Sequence, residues 1–421
     1  MARNACAAGL AVEGNSVMRI HPILAAMTRN KFGALLIVAQ MAITLAFITN
    51  SFALIEQRVA WSARPTGLDE ANVFVIRAST ESHEDLEARR AGELAALRSL
   101  SGVIDAYLTN DYPLQGRGSS GSISLSPDQK TPSMRSSHYL GDEHALHTLG
   151  VALIAGRNFT PEEVTTHRAD ALPAARVLIV SKALADALFP KGDALGKTVY
   201  VQDGIPSQIV GIIDRLQGPN FAATGRFSTF AENSTIRPSR PINEYPRFLV
   251  RVQPGRLAEV MKRAENALLK LDSEMILSSV SMQQARAKAY LGNRGLVTML
   301  LSISTALLLV TGFGIVGLTS YWVTLRRQQI GIRRALGATR LNILQHFQRE
   351  NLMIAGTGAL AGAALAVALN LWMVQRFEMV RMADSQVLGG VLMLLVLGQI
   401  AVFVPARRSA SILPAEAIRG G

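Results

Sequence analysis

Four long apolar runs divide the chain, at 33–55, 296–323, 352–372 and 387–404. Each approaches the roughly 20 apolar residues that cross a hydrocarbon core of about 30 Å as a helix. The first run has 23 mostly apolar residues. It exceeds the apolar core of a signal peptide and lacks a small-residue cleavage site, so it reads as an uncleaved anchor. Met18 is an alternative first residue, and residues 1–17 are left out of the predicted fold. Pro405 is expected to end the fourth run, because proline has no N–H to continue a helix.

Between the first two runs the pattern changes. Residues 72–78 (NVFVIRA) alternate as a half-buried strand does. Residues 84–100 place Leu86, Leu94, Leu97 and Leu100 near helical spacing, with Gly102 beyond and a second strand over 103–109. The order recurs late, as strand 248–252, helix 256–271 and strand 275–280. Two β-α-β units separated by a long insertion predict a split ferredoxin-like layer over 70–110 and 247–281. The insertion, 111–246, opens with a Gly/Ser-rich loop at 116–122. It then offers a strand at 176–181, a helix at 182–188 capped by Ser181, and strands at 199–202 and 208–213. Residues 219–246, with several Gly, Pro, Ser and Asn, read as loop.

Composition changes the picture in two ways. Apolar residues are 49% and charged residues 18%, low in charge for one soluble body, so membrane segments alternate with water-exposed ones. The formal charge of +12 is unevenly placed. Thirteen Lys and Arg lie in 1–32, 326–350 and 406–421 against three acidic residues, whereas 57–290 carries 27 against 25. By the positive-inside rule, those three segments are cytoplasmic and 56–290 and the short loop 376–386 face outward. No basic face interleaved with aromatic residues is present to bind nucleic acid. The single cysteine, Cys6, excludes an intramolecular disulfide and a thiolate cluster.

The predicted fold class is an integral membrane α-helical protein with both termini cytoplasmic. Its four transmembrane helices occupy 33–55, 291–325, 351–375 and 387–405. A large α+β extracytoplasmic domain, 56–290, is inserted between the first two.

Several motifs invite chemistry. In KGDALGKT, residues 191–198, a phosphate-binding loop would need glycine where Lys191 stands, so no nucleotide site is expected. Gly312, Gly314 and Gly317 match a dinucleotide fingerprint in letters only. Inside an apolar run they read as close helix packing, as do Gly358 and Gly362 at small-xxx-small spacing. Asp142, Glu143, His144 and His147 offer metal ligands but lack a third nitrogen, and read instead as a solvated helix start. Gln40, Asn50 and Glu350 are polar groups near lipid and are expected to face other helices.

The segment 326–350, RRQQIGIRRALGATRLNILQHFQRE, sets six arginines against Glu350 alone. Gly337 can stop one short helix in a left-handed cap and Thr339 can cap the next. Such a break makes a knob suited to a partner's groove.

This segment, at 330–350, resembles the cytoplasmic segment of the FtsX-like permease family, in particular of its macrolide-exporter, MacB-type branch. LGVALIAGRNFTPEE (149–163), RVLIVSKALADALFPKGDALGKTV (176–199) and IVGIID (209–214) resemble that branch's extracytoplasmic core, and LPAEAIR (413–419) its C-terminal signature. The resemblance implies a permease subunit of an ABC system in the bacterial inner membrane, not itself an enzyme. Two permease chains, identical or paralogous, would pair within membrane lipid, each docking a separate ATPase. That ATPase would bind ATP, with no cofactor on this chain. A periplasmic adaptor and an outer-membrane channel are further partners it admits. The implied work is export or extraction of amphiphilic or peptide-like substrates such as antibiotics, peptides, lipids or lipoproteins. The alternative is a scaffold that activates a periplasmic cell-wall hydrolase. Carried over by position, Gly331, Arg333, Arg334, Ala335, Leu336, Gly337 and Ala338 form the coupling region and Glu350 the acidic position opening span three. Gln329 departs from the family, which usually has glutamate there.

Overall fold

The computed structural model describes residues 31–80, 85–168, 174–201, 204–220, 228–377 and 381–410. The expected C-terminal signature at 413–419 lies outside them. The chain divides into two compact units, one of 1–55, 299–375 and 380–421, the other of 56–298 and 376–379. The first helix, α1 (Lys31–Ser62), carries the chain from one to the other.

The inserted domain begins with β1 (Val73–Ser79), α2 (Leu86–Arg98) and β2 (Val103–Thr109). Next come β3 (Ser120–Ser124), β4 (Met134–Gly141), α3 (Ala145–Leu149), β5 (Leu153–Gly156) and β6 (Thr165–His167). Then follow β7 (Val177–Ser181), α4 (Lys182–Leu188), β8 (Thr198–Val201), β9 (Ile205–Ile213) and β10 (Ser234–Pro241). It closes with β11 (Arg247–Val252), α5 (Leu257–Leu271), β12 (Ile276–Ser281) and α6 (Met282–Ala289).

One sheet has the order β12-β1-β11-β2, every neighbour antiparallel, which is how two interleaved β-α-β units arrange four strands. Its alternation serves two cores. Phe74 and Ile76 pack with Leu94 and Leu97 of α2 and Val260, Ala264 and Leu268 of α5. Val73 and Val75 face the other way, toward Leu146, Leu149, Ile179, Ile236 and Met282.

The second sheet runs β4-β3-β8-β9-β7-β10, and β10 pairs back onto β4 in parallel, so six strands close into a barrel. Closure leaves no edge among those six to template aggregation. Leu178, Val180, Val199 and Ile209 pack against Leu184 and Leu188 of α4, whose first turn is capped by Ser181 Oγ.

This barrel corrects the sequence reading. Residues 219–246 were expected as loop, yet 234–241 form the closing strand, and the Gly/Ser-rich loop at 116–122 runs into β3. The physical reason lies in what β10 buries. Ser234 Oγ donates to the Leu216 carbonyl (2.7 Å), Ser239 Oγ to that of Thr165 (3.0 Å), and Thr235 Oγ1 sits 2.6 Å from His138 Nδ1. A strand that buries its hydroxyls on distant hydrogen-bond partners leaves no apolar alternation to find.

The other unit adds α7 (Leu291–Leu325), α8 (Arg327–Ala335), α9 (Arg340–Phe377) and α10 (Asp384–Ala410). Among the described residues four helices, α1, α7, α9 and α10, are long and apolar enough to cross a membrane. Within this unit α1 is central, with Ile37, Met41 and Leu45 in one core with Ile315, Ile354, Ala359 and Leu394. A Cβ at Gly362 would lie 2.9 Å from Ala42 Cα, and one at Gly358 3.0 Å from Met41 Cβ, so only glycine lets these helices approach so closely. A Cβ at Gly314 would lie 2.8 Å from the Gln40 side chain and one at Gly312 3.9 Å from Leu397, an ordinary contact, whereas one at Gly317 would meet nothing within 4 Å. Asn50 Nδ2 donates to the Ala366 carbonyl of α9 (3.1 Å). Pro405 does not end the fourth run, because α10 passes through it to Ala410. Val402 and Ala406, on either side, are fully buried in the unit's core, which offsets one lost helical hydrogen bond.

Candidate functional site

The helix α7 gives way to α8 with little interruption, since Arg326 N donates to the Trp322 carbonyl and Ile330 N to that of Arg326, both at 3.0 Å. The break comes at Gly337, whose φ of +95° is left-handed. There Ala338 N donates back to the Arg333 carbonyl and Leu336 N to that of Ile332, each at 3.0 Å. This satisfies carbonyls that the end of α8 would otherwise leave bare. Thr339 Oγ1 then accepts from Asn342 N (3.2 Å) and starts α9.

The two helices hold together by their inner faces. Ile330 of α8 and Ile343 and Phe347 of α9 are buried in the core of the unit, and Gly331 is buried beside them. One turn further into α9, Glu350 is 5% exposed, and both its carboxylate oxygens accept from Arg326 Nη1, at 3.0 and 2.8 Å. This pair ties the residue just after α7 to a position well inside α9. The sequence reading expected Glu350, the acidic position opening span three, to face other helices, and the structure does turn it inward; the identity of its partner is what the structure adds. Nothing in the spacing of 24 residues marks that partnership.

The outer face is the reverse. Leu336 is 83% exposed, Ile332 and Leu341 are also exposed, and so are Arg333, Ala335, Gly337 and Gln329. Ala338 is half-buried, and Arg334 lies in α8 with its side chain outside the described positions. The outer face thus holds large apolar groups out beside arginines.

Other sequence candidates resolve differently. Gly196-Lys197-Thr198 leads into strand β8 rather than a helix, and Gly196 N donates to the Ile209 carbonyl (2.8 Å). His144 and His147 both place Nδ1 3.0 Å from Asp105 Oδ2. Burial pushes the Asp105 carboxyl up, but hydrogen bonds from His147 and His144 outweigh it and hold it below its usual value. Asp142 is fully buried and accepts from Arg240 Nε (3.0 Å), and Glu143 takes the same guanidinium at 2.7 Å. The solvated helix start is therefore an ion-pair cluster, and among the described residues no group of His, Cys, Asp and Glu is arranged to hold a metal.

The profile of the MacB-like periplasmic core domain matches residues 33–267, over half of the 421, and that of the FtsX-like permease C-terminal region matches 301–414. The chain belongs to the FtsX-like, MacB-type ABC transporter permease family. The uncharacterized ABC transporter permease YknZ of Bacillus subtilis is 29% identical over 63% of this chain and 65% of its own length. The pyoverdine export ATP-binding/permease protein PvdT of Pseudomonas syringae pv. tomato is 30% identical, over 59% of this chain and 39% of its own. The macrolide export ATP-binding/permease protein MacB of Chromobacterium violaceum is 25% identical, over 64% and 41%. This permease thus spans less than two thirds of each of those relatives. With its four apolar helices and periplasmic-type domain it is a membrane protein of that family. Its segment 326–350 falls within the C-terminal match.

Proposed function

We propose that this permease couples ATP hydrolysis by a separate ABC ATPase to movement of its periplasmic domain, in the bacterial inner membrane with both termini cytoplasmic. The observation that carries this reading is the exposed outer face of α8 and its Gly337 cap, held from within by the Arg326–Glu350 pair. In this reading Leu336, Ala335, Gly337 and Ala338 press into the ATPase, Arg333 and Arg334 meet acidic groups there, and Gly331 keeps α8 close to α9. Glu350 acts as a positioning residue. ATP sits on the partner, with no cofactor on this chain. The apolar faces of α7 exposed at Val310, Phe313 and Tyr321 support pairing with a second permease chain, identical or paralogous. The substrate class is taken from the relatives named for macrolide and pyoverdine export, hence export or extraction of amphiphilic or peptide-like molecules. A periplasmic adaptor and an outer-membrane channel complete the proposed pathway.

The test is co-purification of the full-length chain with the ABC ATPase that the wild type retains. Proline cannot adopt φ +95°, so Gly337→Pro removes the cap, and Arg334→Glu reverses one charge. Both are expected to lose the ATPase while still inserting into the membrane. Undiminished association in both would sink the reading.

A further inference from the structure

Where α9 begins and α10 ends, a groove of about 650 Å³ opens between the two helices. Arg340, Arg407 and Arg408 line it together with Leu344, Phe403 and Val404, and no carboxylate is among its lining residues. The groove therefore has a cationic mouth and an apolar wall. That wall does not stop at the groove. Leu392, Val396, Ile400 and Val404 are all exposed on α10 at four-residue spacing, so an apolar ridge runs from the arginines along the helix. Both helices are long and apolar enough to cross a bilayer, which puts the arginines at the boundary of the hydrocarbon and the ridge within it.

We infer that this groove binds one anionic glycerophospholipid, its phosphate between Arg340 and Arg407 and an acyl chain along the ridge of α10. Charge selects the headgroup, because Arg340 and Arg407, in a groove with no Asp or Glu among its lining residues, favour a phosphodiester that carries no amine of its own. The ridge selects a lipid over a free anion or an acidic peptide, since only an acyl chain uses both features. A lipid lodged there would brace the start of α9, the helix that α8 leads into. The inference rests on the helices crossing a membrane and not on the docking of an ATPase.

The experiment is native mass spectrometry of the full-length chain released from detergent after titration with phosphatidylglycerol or phosphatidylcholine. The wild type is expected to retain phosphatidylglycerol and not phosphatidylcholine. Arg340→Gln/Arg407→Gln is expected to weaken retention by on the order of thirtyfold, from the usual contribution of a basic residue at an anionic surface. Arg340→Lys/Arg407→Lys should restore most of it, which separates lost charge from misfolding. Arg349→Gln, nine residues on and so on the opposite face of α9 from Arg340, should leave retention unchanged. Equal retention by wild type and the double Gln variant would overturn the inference, as would an equal loss in Arg349→Gln. Displacement of the lipid by millimolar inorganic phosphate would overturn the commitment to a lipid and assign the groove to a simple anion.

Discussion

In the inserted domain Asp142 is fully buried and held at 3.0 Å by Arg240, whereas in the membrane unit Gly362 lies so close to α1 that an added Cβ would come within 2.9 Å of the Ala42 backbone. The domain joins distant segments through polar groups. Arg286 grips Glu70 at 2.6 Å and also donates to the carbonyls of Ser62 and Arg64. Burial pushes the Glu70 carboxyl up, but hydrogen bonds from Arg286 and Thr66 prevail and hold it below its usual value. The membrane unit instead brings helices together where side chains are smallest, adding isolated hydrogen bonds such as Thr44 to Thr311 (2.9 Å) and Asn50 to Ala366. The difference follows from the solvent. Water supplies the drive to bury the domain's apolar faces, and satisfied polar groups then select one arrangement. Lipid supplies no such drive, so close packing and a few hydrogen bonds do the work.

That contrast can be broken at its strongest point first. Gly362→Ile places a branched side chain against Ala42 backbone that cannot yield, and should cost about 3 kcal/mol in denaturant unfolding of the solubilised full-length chain. Gly317→Ile, with open space around it, should cost almost nothing, and equal costs would refute the packing argument.

Glu350→Gln leaves the Arg326 guanidinium without its carboxylate. The expected loss is about 2 kcal/mol, below the usual cost of a broken buried pair because Arg326 is partly exposed. Replacing both, Arg326→Met/Glu350→Met, should recover part of it, as a double-mutant cycle would record.

The third effect, of similar size, belongs to the domain and depends on pH. Burial and the nearby Arg237 depress the His138 imidazole to about 3. In the unfolded chain it titrates near 6.5, so its contribution is complete above that pH and is lost as pH falls toward 3. Between pH 8 and pH 5 this is about 2 kcal/mol. His138→Asn, which keeps a polar atom near Thr235, should flatten the pH dependence of the domain's thermal unfolding by that amount. An unchanged slope would show that His138 takes up its proton in the folded state. The smallest effect is expected of Thr311→Val, about 0.6 kcal/mol, the average for hydrogen bonds between membrane helices.

The domain's two layers differ sharply in how far the sequence exposes them. In the layer built on β1 and β11, apolar residues alternate and leucines return at helical spacing. Strand 103–109 is observed at the expected residues, and helix 182–188 of the insertion likewise. The barrel hides because β10, STIRPSRP, pays for burial with hydroxyl hydrogen bonds to residues 18 to 98 positions away. At the candidate site the local chemistry was legible. Gly337 takes the left-handed conformation and Thr339 caps α9, as a Gly-x-Thr break between two helical patterns suggests. The inward turn of Glu350 follows from a polar group near lipid, but its pairing with Arg326 was not legible, because nothing local names a partner 24 residues away.

By itself the sequence determined the four apolar helices, the alternating strands of one layer and the break at Gly337, since each depends on periodicity or backbone preference within one segment. Only the tertiary structure decided the rest. It closed the barrel through a polar strand, set Gly358 and Gly362 against α1 while leaving Gly317 free of contact, paired Arg326 with Glu350, and opened an arginine-lined groove between α9 and α10. Those features are pairings between segments far apart in the chain. Hydropathy and helical spacing say that a side chain must be buried or satisfied, but not which distant atom will do it.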